Sequence, residues 1–139
     1  MLSQLVYVSK RKKNCTEEEI DKILAKCKQN NPALSITGVL LYSKDKFIQL
    51  VEGNSQRIMD LYDIIKKDER HESCVMISYN PIEEKTFPSW HMGSKKIEES
   101  NINFETTISK EDEKIFNSIL MGTANDGDKV VKTLRKFFD

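Results

Sequence analysis

The chain has 139 residues, 38% hydrophobic and 32% charged, with 5 Gly and 3 Pro; this excludes collagen-like, low-complexity and disordered chains and fits one domain with a short appendage. Lys+Arg and Asp+Glu number 22 each, and a zero net charge gives no general reason to expect nucleic acid or an anionic membrane as partner. No apolar run approaches the roughly 18 residues of a bilayer span, and Met1 to Leu5 lacks the basic and apolar regions of a signal peptide.

Leu2 to Ser9 predicts a strand, with Leu5, Tyr7 and Ser9 on one face and Gln4, Val6 and Val8 on the other. Lys10 to Asn14 is a basic, solvated connection. Thr16-Glu17-Glu18-Glu19 is a capping box, and Ile20, Ile23, Leu24 and Cys27 follow as one helical stripe. Turn chemistry at Asn30-Asn31-Pro32 predicts that this helix ends near Gln29, because proline disfavours helical backbone at the preceding residue. Ile36 to Tyr42 and Lys46 to Glu52 form a hairpin across Ser43-Lys44-Asp45. In its second strand Phe47, Gln49 and Val51 share a face, while Ile48 and Leu50 share the other. Gln49 is therefore an amide on a face that otherwise reads as buried. Gly53-Asn54-Ser55 caps a second helix, about Gln56 to Lys67, with the stripe Ile58, Leu61, Tyr62 and Ile65. Cys74 to Tyr79 is a fourth strand, and Trp90 to Lys95 a shorter fifth.

The order is β-α-β-β-α-β plus one strand, an α+β ferredoxin-like arrangement with two helices on one sheet face. It covers residues 1–97. Residues 98–139 form a C-terminal two-helix extension: Asn101 to Ile108 is a polar loop, and Lys110 to Met121 and Asp128 to Phe138 are amphipathic helices. This appendage docks on the sheet's second face or on a partner subunit.

Chemistry-bearing motifs are sparse. Cys15, Cys27 and Cys74 make no C-x-x-C pair, and with His71 and His91 they make no zinc constellation. Reduced thiols without a targeting segment imply a cytoplasmic location. There is no Gly-rich phosphate loop, G-x-S-x-G or H-E-x-x-H. The unusual feature is polar: Tyr7, Gln49 and Asn30-Asn31 point at, or open onto, a face two helices should cover. Buried polar groups need hydrogen-bond partners. Either these groups satisfy one another, or they read a planar polar ligand between the helices. Taken singly, Tyr7 reads as a core tyrosine, Asn30-Asn31-Pro32 as a helix-terminal turn, and Trp90 and Met92 as core or edge contacts.

Together they carry a resemblance. The segments Tyr7-Val8-Ser9, Gln29-Asn30-Asn31-Pro32, Ile36-Thr37-Gly38-Val39-Leu40, Phe47-Ile48-Gln49-Leu50-Val51-Glu52-Gly53, Asp68-Glu69-Arg70-His71 and Trp90-His91-Met92 stand in the order and spacing of the BLUF family, blue-light sensors using flavin. The chain resembles that family over residues 1–97. The resemblance implies a flavin held between the two helices, FAD in the first place, with FMN or riboflavin as alternatives. It implies that Ile23 and Ile65 sandwich the ring, that Asn31 and Asn30 bond its N3–H, O4 and O2 edge, and that Gln49 faces N5 and O4. Arg70, His71 and Asp68 meet the ribityl and phosphate end or the ring edge, and Ile64 stands where some members carry a basic residue. In this family Tyr7 is the photochemical electron donor and its proton follows through Gln49. The amide is left rotated or tautomerised, and its new bond to O4 red-shifts the absorption. The signal leaves through Trp90 and Met92, because the family's fifth strand neighbours the Gln49 strand. It then passes through the C-terminal helices to an unidentified downstream protein, from a homodimer or higher homo-oligomer. The implied protein is a photoreceptor and not an enzyme.

Two other readings make different predictions. A dimeric regulatory or adaptor module that binds a small molecule on this fold, without photochemistry, would leave Tyr7 and Gln49 as mere core. An acylphosphatase-like hydrolase would use Arg11 and Asn14 to cradle an anion, although no glycines there let backbone N–H groups converge.

Overall fold

A computed structural model describes residues 1–97, 110–124 and 126–138; the loop expected at Asn101 to Ile108 lies outside the described residues. The elements are β1 (Leu2–Arg11), α1 (Glu17–Leu34), β2 (Thr37–Tyr42), β3 (Lys46–Asn54), α2 (Ser55–Lys66), β4 (His71–Ile82), β5 (Gly93–Lys96), α3 (Lys110–Leu120) and α4 (Gly127–Arg135). The sheet order is β4-β1-β3-β2-β5, which is the expected ferredoxin-like arrangement extended by one edge strand.

Both sheet faces are covered, so the central strands read as unbroken buried runs. Leu5, Tyr7, Leu40, Phe47 and Val51 pack under α1 and α2 with Ile20, Ile58 and Tyr62. Val6, Val8, Val39, Leu41, Ile48 and Leu50 pack on the opposite face against Phe116, Ile119, Val130 and Leu134. The C-terminal helices thus dock on the sheet's second face within the same chain. Gly38 is required where it stands, because a Cβ there would run into the backbone carbonyl of Leu50 on β3.

Three local expectations are corrected. First, α1 does not stop near Gln29 but continues through Pro32 to Leu34. Proline removes one helical hydrogen bond. The chain closes the turn behind it: Ser35 takes left-handed backbone (φ 53) and bonds back to the Asn31 and Pro32 carbonyls, and Ile36 N–H bonds Asn31 O at 3.0 Å. Asn30 and Asn31 therefore ride on a helix. Second, β5 begins at Gly93 and runs parallel to β2, with Val39 opposite Gly93. It does not neighbour β3. Trp90, His91 and Met92 lie in the approach to it, where Gly38 N–H bonds Trp90 O at 2.8 Å. Third, only half of the capping box forms. Thr16 Oγ1 accepts from Glu19 N–H at 3.4 Å, while the Glu19 carboxylate turns to Lys22 (3.2 Å) and Arg70 (3.5 Å).

The second helix starts as expected, with Asn54 Oδ1 accepting from the N–H groups of Gln56 and Arg57. β4 is longer than its alternation suggests, because register shifts and left-handed backbone at Ser73 (φ 54) break the period. Among the described residues no helix is long and apolar enough to cross a membrane.

Candidate functional site

A cleft of about 260 Å³ opens between α1, α2 and the sheet. Tyr7, Leu40, Phe47 and Gln49 come from the strands, Ile23, Cys27, Asn30 and Asn31 from α1, and Leu61 and Ile65 from α2. Asp68, Arg70 and His71 follow α2 and line the cleft too, as does Ile64 of α2. An apolar concavity with a few convergent polar groups is the usual form of a small-molecule site.

The strand register builds the centre of the site. Tyr7 lies directly opposite Gln49 across β1 and β3, so both side chains rise on the same face. The Tyr7 hydroxyl donates to Gln49 Oε1 at 2.6 Å, and Gln49 Nε2 reaches Met92 Sδ at 3.5 Å. Burial pushes the Tyr7 phenol well above its ordinary value, and Cys74, Cys27, Tyr62 and Asp68 add to the rise. The phenol is thus a neutral donor over the physiological range, with an amide oxygen as its acceptor. Met92, not Trp90, adjoins Gln49. Trp90 is 36% exposed and packs on Phe87 (5.4 Å between ring centroids) and Phe138 (5.3 Å).

The other expected residues divide by how much of their bonding capacity the protein already uses. Asn31 is buried, and its Nδ2 donates to His91 O at 2.8 Å, which leaves its Oδ1 for the cleft. Asn30 is exposed and lines the cleft without a hydrogen-bond partner among the described residues. Arg70 grips Asp68 through Nε (2.9 Å) and Nη2 (2.6 Å), and approaches Glu19 at 3.5 Å. Its hydrogen bond holds the Asp68 carboxyl below the usual range and raises the guanidinium. Both His71 nitrogens are occupied: Nε2 donates to Ile65 O at 2.5 Å and Nδ1 accepts from Ser9 at 2.7 Å. His71 therefore fixes the wall that carries Ile65. Arg11 donates to the carbonyls of Cys15 and Ser43, both at 2.8 Å, and lies 3.9 Å from the Glu17 carboxylate; it staples a loop.

Phe47, Leu40, Cys27, Leu61 and Lys26 also line the cleft and were not singled out from the sequence. Periodicity places Phe47 on the Gln49 face, but which residues of a buried face stay open to a ligand depends on how the helices are spaced above it. Apolar side chains from two facing helices, with carboxamides between them, fit a flat ring system with a polar edge. Among the described residues no group of three His, Cys, Asp or Glu could hold a metal.

Residues 2–93 match the family model BLUF, described as sensors of blue-light using FAD. The photoactivated adenylate cyclase subunit beta of Euglena longa is 33% identical over 94 residues, which are 67% of this chain but only 11% of that subunit. The dark-state structure of BlrB, a BLUF protein, is 25% identical and superposes with a TM-score of 0.74 over 99% of this chain and 94% of its own. A bacterial light-regulated adenylyl cyclase is 30% identical, with a TM-score of 0.71 over 99% of this chain and 37% of that one.

Proposed function

The chain belongs to the BLUF family of blue-light sensors, and from that premise we propose how its own residues do the sensing. It is a blue-light sensor that binds flavin. Ile23 and Ile65 would hold the ring between α1 and α2, with the carboxamides of Asn30, Asn31 and Gln49 on its polar edge. The family's description favours FAD, and FMN or riboflavin would present the same ring to the same residues. Arg70 is largely committed to Asp68 and Glu19, so Lys26 is the cleft cation without an ion pair among the described residues.

When bound, the flavin supplies blue-light absorption and, in its excited state, oxidising power. Tyr7 is the electron donor. Its proton has one short path, along the 2.6 Å hydrogen bond to Gln49 Oε1. An amide carries both an acceptor and a donor, so Gln49 can take that proton at one end and release another, or rotate and exchange its two ends. Return of the electron, together with a proton passed back through Gln49, restores the Tyr7 phenol, and the amide remains in its second arrangement. This is a two-state element biased by light. Turning the amide also changes its contact with Met92 Sδ, and that contact is the start of the output path. Output would then pass through α3 and α4 to a second copy or a separate protein; the cyclase activity named for the Euglena protein belongs to that longer chain.

The observation that carries this reading is the buried Tyr7–Gln49 hydrogen bond in a cleft between two helices. Purified protein should be yellow, and blue light should give a small, reversible red shift. Tyr7→Phe should keep the flavin and lose the shift. A Tyr7→Phe variant that switches normally overturns the assignment.

A further inference from the structure

Glu52 is 0% exposed and stands on β3 three residues past Gln49, on the opposite face of the sheet, in phase with Ile48 and Leu50. A carboxylate at such a position must have its hydrogen bonds made. Three donors meet it: Gln4 Nε2 at 2.7 Å and the backbone N–H groups of Thr86 and Phe87, each at 2.8 Å. Two of the three belong to the segment between β4 and β5. That segment has no ladder of its own and is held at a few points. Lys85 Nζ bonds Ser35 O at 2.6 Å, Trp90 O accepts from Gly38, His91 O accepts from Asn31 Nδ2, and Met92 Sδ meets Gln49 Nε2. One end is sunk in the second-face core through Phe87, and the other in the first-face core through Met92. Residues 85–92 are a strap that passes from one face of the sheet to the other.

We propose that Glu52 is a positioning residue of the photoswitch, pinning Thr86 and Phe87 so that a change at the Gln49 end of the strap is delivered to Trp90 and Phe138. The inference rests on the reading of Gln49 as the switch. Two strap contacts, Asn31 with His91 and Gln49 with Met92, come from residues lining the cleft. The aromatic cluster of Phe87, Trp90 and Phe138 joins the strap to the turn after α4. With its far end fixed, the strap can respond to the cleft only by moving the residues between, and Trp90 is the large one among them. A glutamate suits the pin because both its oxygens accept, whereas a glutamine would set an NH₂ against a backbone N–H.

Trp90 is the one tryptophan of the chain, so fluorotryptophan labelling of the flavin-loaded protein gives a single fluorine resonance reporting this residue. The parent should show distinct dark and lit positions. Glu52→Gln should retain flavin and its red shift, but the dark resonance should move towards the solvent-exposed position and the dark–lit separation should collapse. Loss of one charge-assisted bond lowers the ratio of pinned to released strap by about tenfold or more. Gln4→Leu, which removes the 3.3 Å contact to Thr86 Oγ1 but leaves both backbone bonds to Glu52 in place, should keep the parental separation. In the parent, the Thr86 and Phe87 amides should resist hydrogen exchange in dark and light alike; this measurement needs no variant to fold. Parental resonance positions in Glu52→Gln, a Trp90 resonance unmoved by light in a protein that red-shifts, or Thr86 and Phe87 amides exchanging at open-loop rates would each overturn the inference. A parent with no red shift at all would instead overturn the functional reading beneath it.

Discussion

Phe116 tests whether the C-terminal helices are part of the fold or an ornament on it. The side chain is 0% exposed, sits 4.7 Å from the Phe137 ring, and packs with Val6, Val8, Ile48 and Leu50 beneath α3. Phe116→Ala removes a full aromatic ring from a core that cannot collapse freely around a sheet, at a cost of about 3–5 kcal/mol. At roughly 2.1 cal/mol/K per residue, a chain of this length has an unfolding entropy of about 0.3 kcal/mol/K, so the melting temperature should fall by about 10–17 °C. That is a large part of the roughly 5–15 kcal/mol that holds a domain together. Met121→Ala, just past the end of α3 at a residue 77% exposed, should stay within about 0.5 kcal/mol of the parent. The assay is thermal unfolding followed by circular dichroism, at one fixed flavin concentration because bound ligand raises stability by mass action. If Phe116→Ala melts within about 3 °C of Met121→Ala, α3 does not cover the sheet and the packing argument fails.

The two asparagines should separate. Asn31→Ala removes the donor to His91 O and should destabilise the flavin-free protein by about 1–3 kcal/mol. Asn30→Ala, exposed and without a side-chain partner among the described residues, should change that stability by no more than about 0.5 kcal/mol, yet both should weaken flavin retention; equal denaturant midpoints for the two would contradict the assignment. Because burial holds Tyr7 neutral, the red-shift amplitude should be flat from neutral pH to pH 9, and a fall across that window would mean that another group gates the proton. Burial also raises Cys15, Cys27 and Cys74 from 9.0 and Tyr7, Tyr42 and Tyr62 from 10.0. Above those values the unfolded chain loses protons that the folded chain keeps. Stability should therefore hold to about pH 9 and decline beyond it, as thiols and then phenols ionise in the unfolded state. Denaturant midpoints that rise between pH 9 and 10.5 would reverse the sign.

How much was legible beforehand follows from the range of each signal. Strand alternation at Leu5-Val6-Tyr7-Val8 and Phe47-Ile48-Gln49-Leu50, and helical stripes on both helices, are local consequences of backbone period. They were enough to put Tyr7 and Gln49 on one buried face and to order the elements. The spacing of Asn30-Asn31, Gln49 and Trp90-His91-Met92 was enough to mark the family. Pro32 was misread because local propensity argues for a break, while Ser35 and Ile36 close the turn against the body of the fold. The start of β5, and its pairing with β2 and not β3, rest on bonds to a distant strand. The choice of Met92 over Trp90 beside Gln49 rests on where the strap crosses the sheet, and the two residues alternate identically in the chain. Glu52 closes the predicted strand with nothing local to mark its role; its donors arrive from positions 34, 35 and 48 residues away. The chain by itself therefore determined which residues share a face, since that depends only on neighbours a few bonds apart. Which of them touch a ligand, and which strap holds them, was decided by tertiary structure, since those contacts exist only once distant segments have been brought together.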